Sequence, residues 1–271
     1  MGSTHRSPGR VLSYVPALAV SRFDRILISA SIGLVTILAW AYLVHLDHQM
    51  SAAMQDQRMM AAMGMTMDQA WTLADGWFTF AMWAVMMVGM MAPTALPMLL
   101  LFAAARTGRD QKGISLATLS FGLGYIAVWT SFSAGATLAQ YGLHQAALLS
   151  PAMASSSGRL SGAILLAAGA YQLTPWKAKC LTHCRSPLGF LMTNWHDGTT
   201  GAFSMGFRHG VFCLGCCWAI MCLLFVVGVM NLVWIAILTV FVLIEKVGPA
   251  GALVARVAGA AMVLLGIAVI A

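Results

Sequence analysis

Apolar runs separated by short polar breaks organise this chain almost from end to end. Runs long enough for a helix to cross a bilayer core of about 30 Å lie at Ile26 to Val44, Trp77 to Ala104, Ile114 to Ala139, Phe207 to Val227 and Ala252 to Ile270. Two shorter runs, Leu160 to Leu173 and Leu232 to Ile244, complete the series. The pattern predicts an all-α polytopic bundle of about seven spans, with six as the alternative if one short run is buried or re-entrant. Residues 1–25 read as a basic cytoplasmic tail and residues 26–271 as a single helical membrane domain. Two polar stretches interrupt it, a loop at 45–76 and a second at 174–204. No A-x-A-like cleavage site follows the first apolar run, so it reads as a span rather than a secretory signal.

Composition agrees with the pattern. Hydrophobic residues make up 60% of the 271 and charged residues only 8%, against about a quarter charged in a soluble domain. The formal net charge of +7 is therefore a matter of topology, and nucleic acid is not implied as a partner. With seven spans, thirteen of the fifteen Lys and Arg residues fall on one side, leaving only Arg58 and Arg159 opposite. By the positive-inside rule the amino terminus is cytoplasmic, the 45–76 loop faces out, the 174–204 loop faces in and the carboxyl terminus is outside. In a bacterium this means the inner membrane, with the carboxyl terminus in the periplasm. The lipid bilayer is the first partner.

Methionine is what this pattern leaves unexplained. Thirteen of the twenty methionines lie between Met50 and Met98. Those of the polar stretch, among them Met63, Met65 and Met67, accompany His45 and His48. A hydrated loop has no core to fill, and a thioether is a soft ligand suited to Cu(I). The competing reading is an interfacial amphipathic segment that uses methionine for its flexibility. In the second run Met82, Met86 and Met90 recur every four residues, with Met87 and Met91 one residue on. Together the five cover about half of a helix circumference, either as a ladder of thioethers or as a packing face kinked at Pro93 and Pro97.

Cysteine and histidine extend the soft-ligand series. KAKCLTHCRSP places Cys180, His183 and Cys184 within five residues, and in FRHGVFCLGCCWAIMC His209, Cys213 and Cys216 follow helical spacing, with Cys217 close to the same face. Cys222 points away. A cytoplasmic location argues against disulfides. Two or three soft ligands suit Cu(I), while His196 or Asp197 would be needed to complete a zinc site. The bland alternative treats the span cysteines as small buried hydrophobes. Glu245 beside Lys246 reads as an interfacial ion pair, and Gly122 and Gly124 as small-residue helix contacts. No nucleophile-elbow, zincin or phosphate-loop motif is present, so no hydrolytic enzyme is implied.

Three blocks, MWAVMMVGMMAPTALPM, YQLTPWKAKCLTHCRSPLGFL and GFRHGVFCLGCCWAIM, occur in this order. In them the chain resembles a bacterial family described as predicted metal-binding integral membrane proteins, a domain of unknown function, from roughly Trp77 to Lys246. The resemblance implies metal ligands at Met86, Met87, Met90, Met91, Cys180, His183, Cys184, His209, Cys213, Cys216 and Cys217. A looser likeness, of chemistry and not of fold, is to eukaryotic copper transporters. The reading is a copper-handling membrane protein that binds and relays or transports Cu(I), with zinc as the second candidate ion. The alternatives are a metal-binding subunit or assembly factor of a larger membrane enzyme, and a metal-dependent oxidoreductase. The partners to match are a copper chaperone, membrane enzyme subunits or a second copy of the chain.

Overall fold

A computed structural model describes residues 21–63, 71–108, 113–149, 155 and 157–271. The basic tail up to residue 20, and Met65 and Met67, lie outside the described residues. Among those described, ten helices and no named strand are found: α1 (Arg22–Ala62), α2 (Leu73–Thr107), α3 (Ile114–Gln145), α4 (Gly158–Gln172), α5 (Pro175–Arg185), α6 (Pro187–Asn194), α7 (Gly198–Cys222), α8 (Leu224–Val227), α9 (Leu232–Val247) and α10 (Gly251–Ile270). The all-α expectation holds. Five segments, built on α1, α2, α3, α7 with α8, and α10, are long and apolar enough to cross a membrane. The two runs that look short in sequence are short in the fold, at 15 residues for α4 and 16 for α9.

Local chemistry sets the helix starts. Thr72 and Asp75 form a reciprocal capping box at α2, in which Thr72 N–H donates to the Asp75 carboxylate and Asp75 N–H donates to Thr72 Oγ1. Ser157, Thr174 and Asn231 cap α4, α5 and α9. Gly228, at φ +98°, turns the chain between α8 and α9 in a conformation that L side chains rarely adopt.

Both expected loops are largely helical, which corrects the sequence reading. α1 runs on to Ala62, so His45, His48, Met59 and Met60 lie on a 41-residue helix and Met63 in the turn that ends it. The cause is composition: alanine, methionine and glutamine are good helix formers and the first glycine beyond the span is Gly64. The 174–204 stretch folds into α5 and α6, and it supplies the first turns of α7. Pro175 and Pro187 start the two short helices from their N-terminal turns, where proline's missing N–H goes unfelt.

Small residues then govern helix pairing. α3 packs closely on α7, where Gly124 meets the backbone of Phe203 and Phe207 and Gly206 meets the Phe121 carbonyl. α4 pairs with α10 through Gly162 facing Gly266 and Gly169 facing Gly259. A Cβ at these glycines would collide with the facing helix, which is how small residues let two helix backbones approach closely. Gly122, by contrast, faces open space, so only Gly124 of the expected pair makes the contact.

Take as the upper end of the bundle the one holding Leu73, Asp47 and Asn231. Asp47 and Asn231 share one cavity there, and Trp83 of α2 packs at a tilt against Phe225 and donates to Gln140. Met91 lies 18 residues below Leu73, about 27 Å at 1.5 Å per residue. Lys246, in the last turn of α9, reaches the same level. α9 therefore ends where α2 is only halfway down, and α5 and α6 fill the space beneath it against α7, α9 and α2.

One ion pair ties this lower layer to the short helix. Lys177 of α5 and Glu245 of α9, both buried, form a salt bridge, and Arg185 Nη1 donates to the Glu245 carbonyl at 2.7 Å. The expected interfacial pairing of Glu245 with its neighbour Lys246 gives way to this contact. Successive residues of a helix leave it about 100° apart, so the two side chains cannot share one partner direction.

Candidate metal centre

Three turns of α7 carry the chemistry inward. His209, Cys213, Cys216 and Cys217 are all buried, as the helical spacing predicts. Cys216 Sγ lies 3.3 Å from Cys217 Sγ, donates to the Cys213 carbonyl at 3.1 Å, and reaches Cys184 Sγ of α5 at 3.8 Å. Four thiols from two helices thus form one string. All six cysteines are free, and Cys222 is only half-buried and outside the string.

The trio Cys180, His183 and Cys184 does not converge. Cys184 joins the α7 thiols, while Cys180 Sγ rests over Gly215, whose missing side chain admits it. The His183 ring stacks on Phe212, with centroids 4.4 Å apart, and its Nδ1 lies 2.9 Å from the Lys179 carbonyl. The interface between α5 and α7 splits what lies close in sequence. Burial raises the Cys180 thiol pKa. The Cys184 thiol is pushed well up, first by its hydrogen bond with Cys213 and then by burial, with Cys216 opposing.

Around Cys213 the string meets groups from three further helices. Lys246 Nζ of α9 donates to Cys213 Sγ at 2.8 Å and to Thr94 Oγ1 at 3.3 Å, and stands 3.9 Å from Met91 Sδ. Tyr125 OH of α3 lies 3.0 Å from Cys213 Sγ and donates to the Met91 carbonyl at 3.2 Å. Thr94 Oγ1 donates to the same carbonyl at 2.8 Å. The α2 backbone beside Pro93 is thereby fastened to the thiol centre. Lys246, Tyr125 and Thr94 were not singled out from sequence as site residues. The available signal was a lysine ending an apolar run and a tyrosine within one.

Met82, Met86, Met87, Met90 and Met91 are all buried in the common core. Met91 is the one placed beside the cysteine centre, through Lys246. His209 sits one turn before Cys213 in an aromatic box of Phe121, Tyr125 and Phe190, and among the described residues its buried Nδ1 has no hydrogen-bond partner. A buried imidazole nitrogen without a partner is costly. At the upper end His45 and His48 are exposed on α1, far from the cysteines, and His45 Nε2 lies 2.9 Å from Gln49 Nε2.

Among the described residues, no three His, Cys, Asp or Glu side chains already stand as a metal cage. The centre is a string of thiols. For metal–sulfur bonds of about 2.3 Å, tetrahedral geometry spaces the sulfurs by about 3.8 Å, so the Cys184–Cys216 spacing fits a shared ion. Such a donor set is soft, and a soft monovalent ion needs fewer donors than a closed zinc site.

Residues 80–269, well over half of the chain, match the family PpoB2, described as copper chaperone, and the chain belongs to that family. No curated protein and no solved structure matches it. The match covers the buried methionines, the thiol string, Lys246 and most of α10, whereas the methionine-rich end of α1 lies before it. Copper handling is thereby the general function of the protein.

Proposed function

We propose that this member of the copper chaperone family is a membrane-embedded Cu(I) relay, in which buried thioethers lead to a thiol centre made by Cys213, Cys216, Cys217 and Cys184. The observation that carries the reading is the meeting of α7 and α5 thiols beside Met91, inside a bundle of long apolar helices. Met82, Met86 and Met90 share one face of α2 above Met91 and offer soft donors along about 12 Å of helix. Thiolates bind a soft ion more strongly than thioethers do, so the series runs from weaker to stronger sites. His45, His48 and Met63 at the upper end are the collecting residues, and His209, with Cys180 and His183 nearer the lower surface, is placed to receive the ion next. Delivery to a partner protein at the lower face is the last step of this reading, in keeping with a family described as copper chaperone.

The upper end faces the periplasm in this reading and the lower end the cytoplasm. α4 and α9, about 22 and 24 Å long, are short for a 30 Å core and fit where the membrane thins or where α5 and α6 fill the depth beneath them. The amino terminus is expected inside and the carboxyl terminus outside, following the bias in basic residues. Impermeant labelling of single reporter cysteines at the two ends tests this, and both ends reacting from one side would reverse the assignment of one short helix.

An inside-negative potential contributes about 2.3 kcal/mol per 100 mV to a single positive charge moving inward, so the relay needs no nucleotide. Replacing Met86 and Met90 by leucine keeps nearly the same volume but removes two thioethers. Copper movement into sealed proteoliposomes is expected to slow on the order of tenfold. An unchanged rate would leave the methionines as packing and the relay without its upper path.

A further inference from the structure

Lys246 is the side chain least expected in a nest of soft donors. It is buried, and Glu245, its neighbour in sequence, is taken by Lys177. A buried ammonium persists only where it is paired and hydrogen-bonded. Its partners here are the Cys213 sulfur, the Thr94 hydroxyl and the Met91 thioether. Two of these three are sulfurs that the relay would present to copper. The ammonium therefore occupies the position where an incoming cation would meet Cys213 and Met91.

We propose that Lys246 is a specificity-determining residue, a tethered cation that holds the Cys213–Met91 seat and makes the centre discriminate by ionic charge. The inference rests on Cys213 being a copper ligand, as proposed above. For an ion to bind, the Lys246 Nζ–H hydrogen bond to Cys213 Sγ breaks and a metal–sulfur bond forms to Cys213 as its thiolate, any thiol proton passing to bulk water, while the flexible lysine stem carries the ammonium charge aside without leaving the pocket. A charge that stays nearby repels an ion in proportion to the ion's own charge, so a divalent ion meets twice the penalty of a monovalent one. The centre then prefers Cu(I) and Ag(I) to soft divalent ions such as Cd(II) by more than donor type alone provides. This is discrimination by a repulsive element built into the site. The same repulsion loosens the hold on copper, which suits a protein that must give the ion up.

The test uses the purified full-length protein and competition titrations with Ag(I), Cu(I) and Cd(II). Lys246→Gln and Lys246→Leu both remove the charge without adding a soft donor, and the leucine variant fills most of the stem's volume should the glutamine variant fold poorly. The readout is the Cd(II)-to-Ag(I) affinity ratio, because any change in proton competition at Cys213 weighs on both ions alike. In the neutral variants this ratio is expected to move toward Cd(II) by about 10- to 100-fold, and in Lys246→Arg to stay near the wild-type value. A ratio unchanged in the neutral variants, or one that shifts equally in Lys246→Arg, overturns the proposal. Wild-type protein that binds neither Cu(I) nor Ag(I) overturns the copper-centre reading itself and this inference with it, whereas normal binding with an unmoved ratio overturns only the role of Lys246.

Discussion

Replacing Cys213, Cys216 and Cys217 together by serine is expected to abolish tight copper binding while the protein still folds. Serine is nearly isosteric with cysteine, and the present partners suit a hydroxyl as well: the Cys213 carbonyl for Cys216, Lys246 and Tyr125 for Cys213, and the side chain at 216 for Cys217. What disappears is softness, because a hydroxyl is a hard and neutral donor. Changes in groups that merely orient ligands already cost about 10- to 100-fold in metal affinity, so losing three ligands is expected to exceed the upper figure. Metal counting on the purified protein, followed by competition against a Cu(I) chelator, measures the effect. Cys222→Ser serves as the control, since Cys222 lies outside the string, and should match wild type. A triple variant that keeps one copper at wild-type affinity would move the centre away from α7.

Glu245→Ala is expected to destabilise the fold by about 3–5 kcal/mol, because it strands the buried Lys177 ammonium without its partner. Adding Lys177→Met should restore most of the loss, since replacing both members of a buried ion pair with apolar groups is often neutral or stabilising. Denaturant or thermal unfolding in detergent checks the pair, and a single variant within about 1 kcal/mol of wild type would show the bridge to be dispensable. The pair also bears on the proposed thiol centre. α5 carries both Lys177 and Cys184, two turns apart, so the bridge that pins α5 to α9 also sets where Cys184 meets Cys216. The double variant, folded but without the bridge, should therefore retain the α7 thiols and hold Cys184 less firmly against them.

Much of the architecture was legible in the chain itself. Apolar runs and polar breaks located every long helix, because a long apolar run keeps its backbone N–H and C=O groups paired within itself when it is helical. The same pattern marked α4 and α9 as short. Helical spacing within FRHGVFCLGCCWAIMC placed His209, Cys213 and Cys216 on a buried face of α7, and all three are buried there. The polar stretches misled because low hydropathy was read as loop. Their alanine, methionine, glutamine and proline placement favours helices that have no need to be apolar.

The composition of the centre was not legible, and the reason is the range of the signal. Periodicity reports which residues share a face of one helix, and it is silent on which faces meet. KAKCLTHCRSP read as one site because its residues are close in sequence, yet the α5–α7 interface sends Cys184 to Cys216 and leaves His183 on Phe212. Lys246 reaches Cys213 across 33 positions and Tyr125 reaches it across 88. These contacts exist only because Gly124 and Gly206 let α3 and α7 approach, and because α9 stops halfway down α2. The chain by itself determined a helical bundle rich in soft sulfur donors. Only the packing of five helices decided which sulfurs meet and that a lysine stands among them, because close approach of distant segments depends on interhelical fit and not on local pattern.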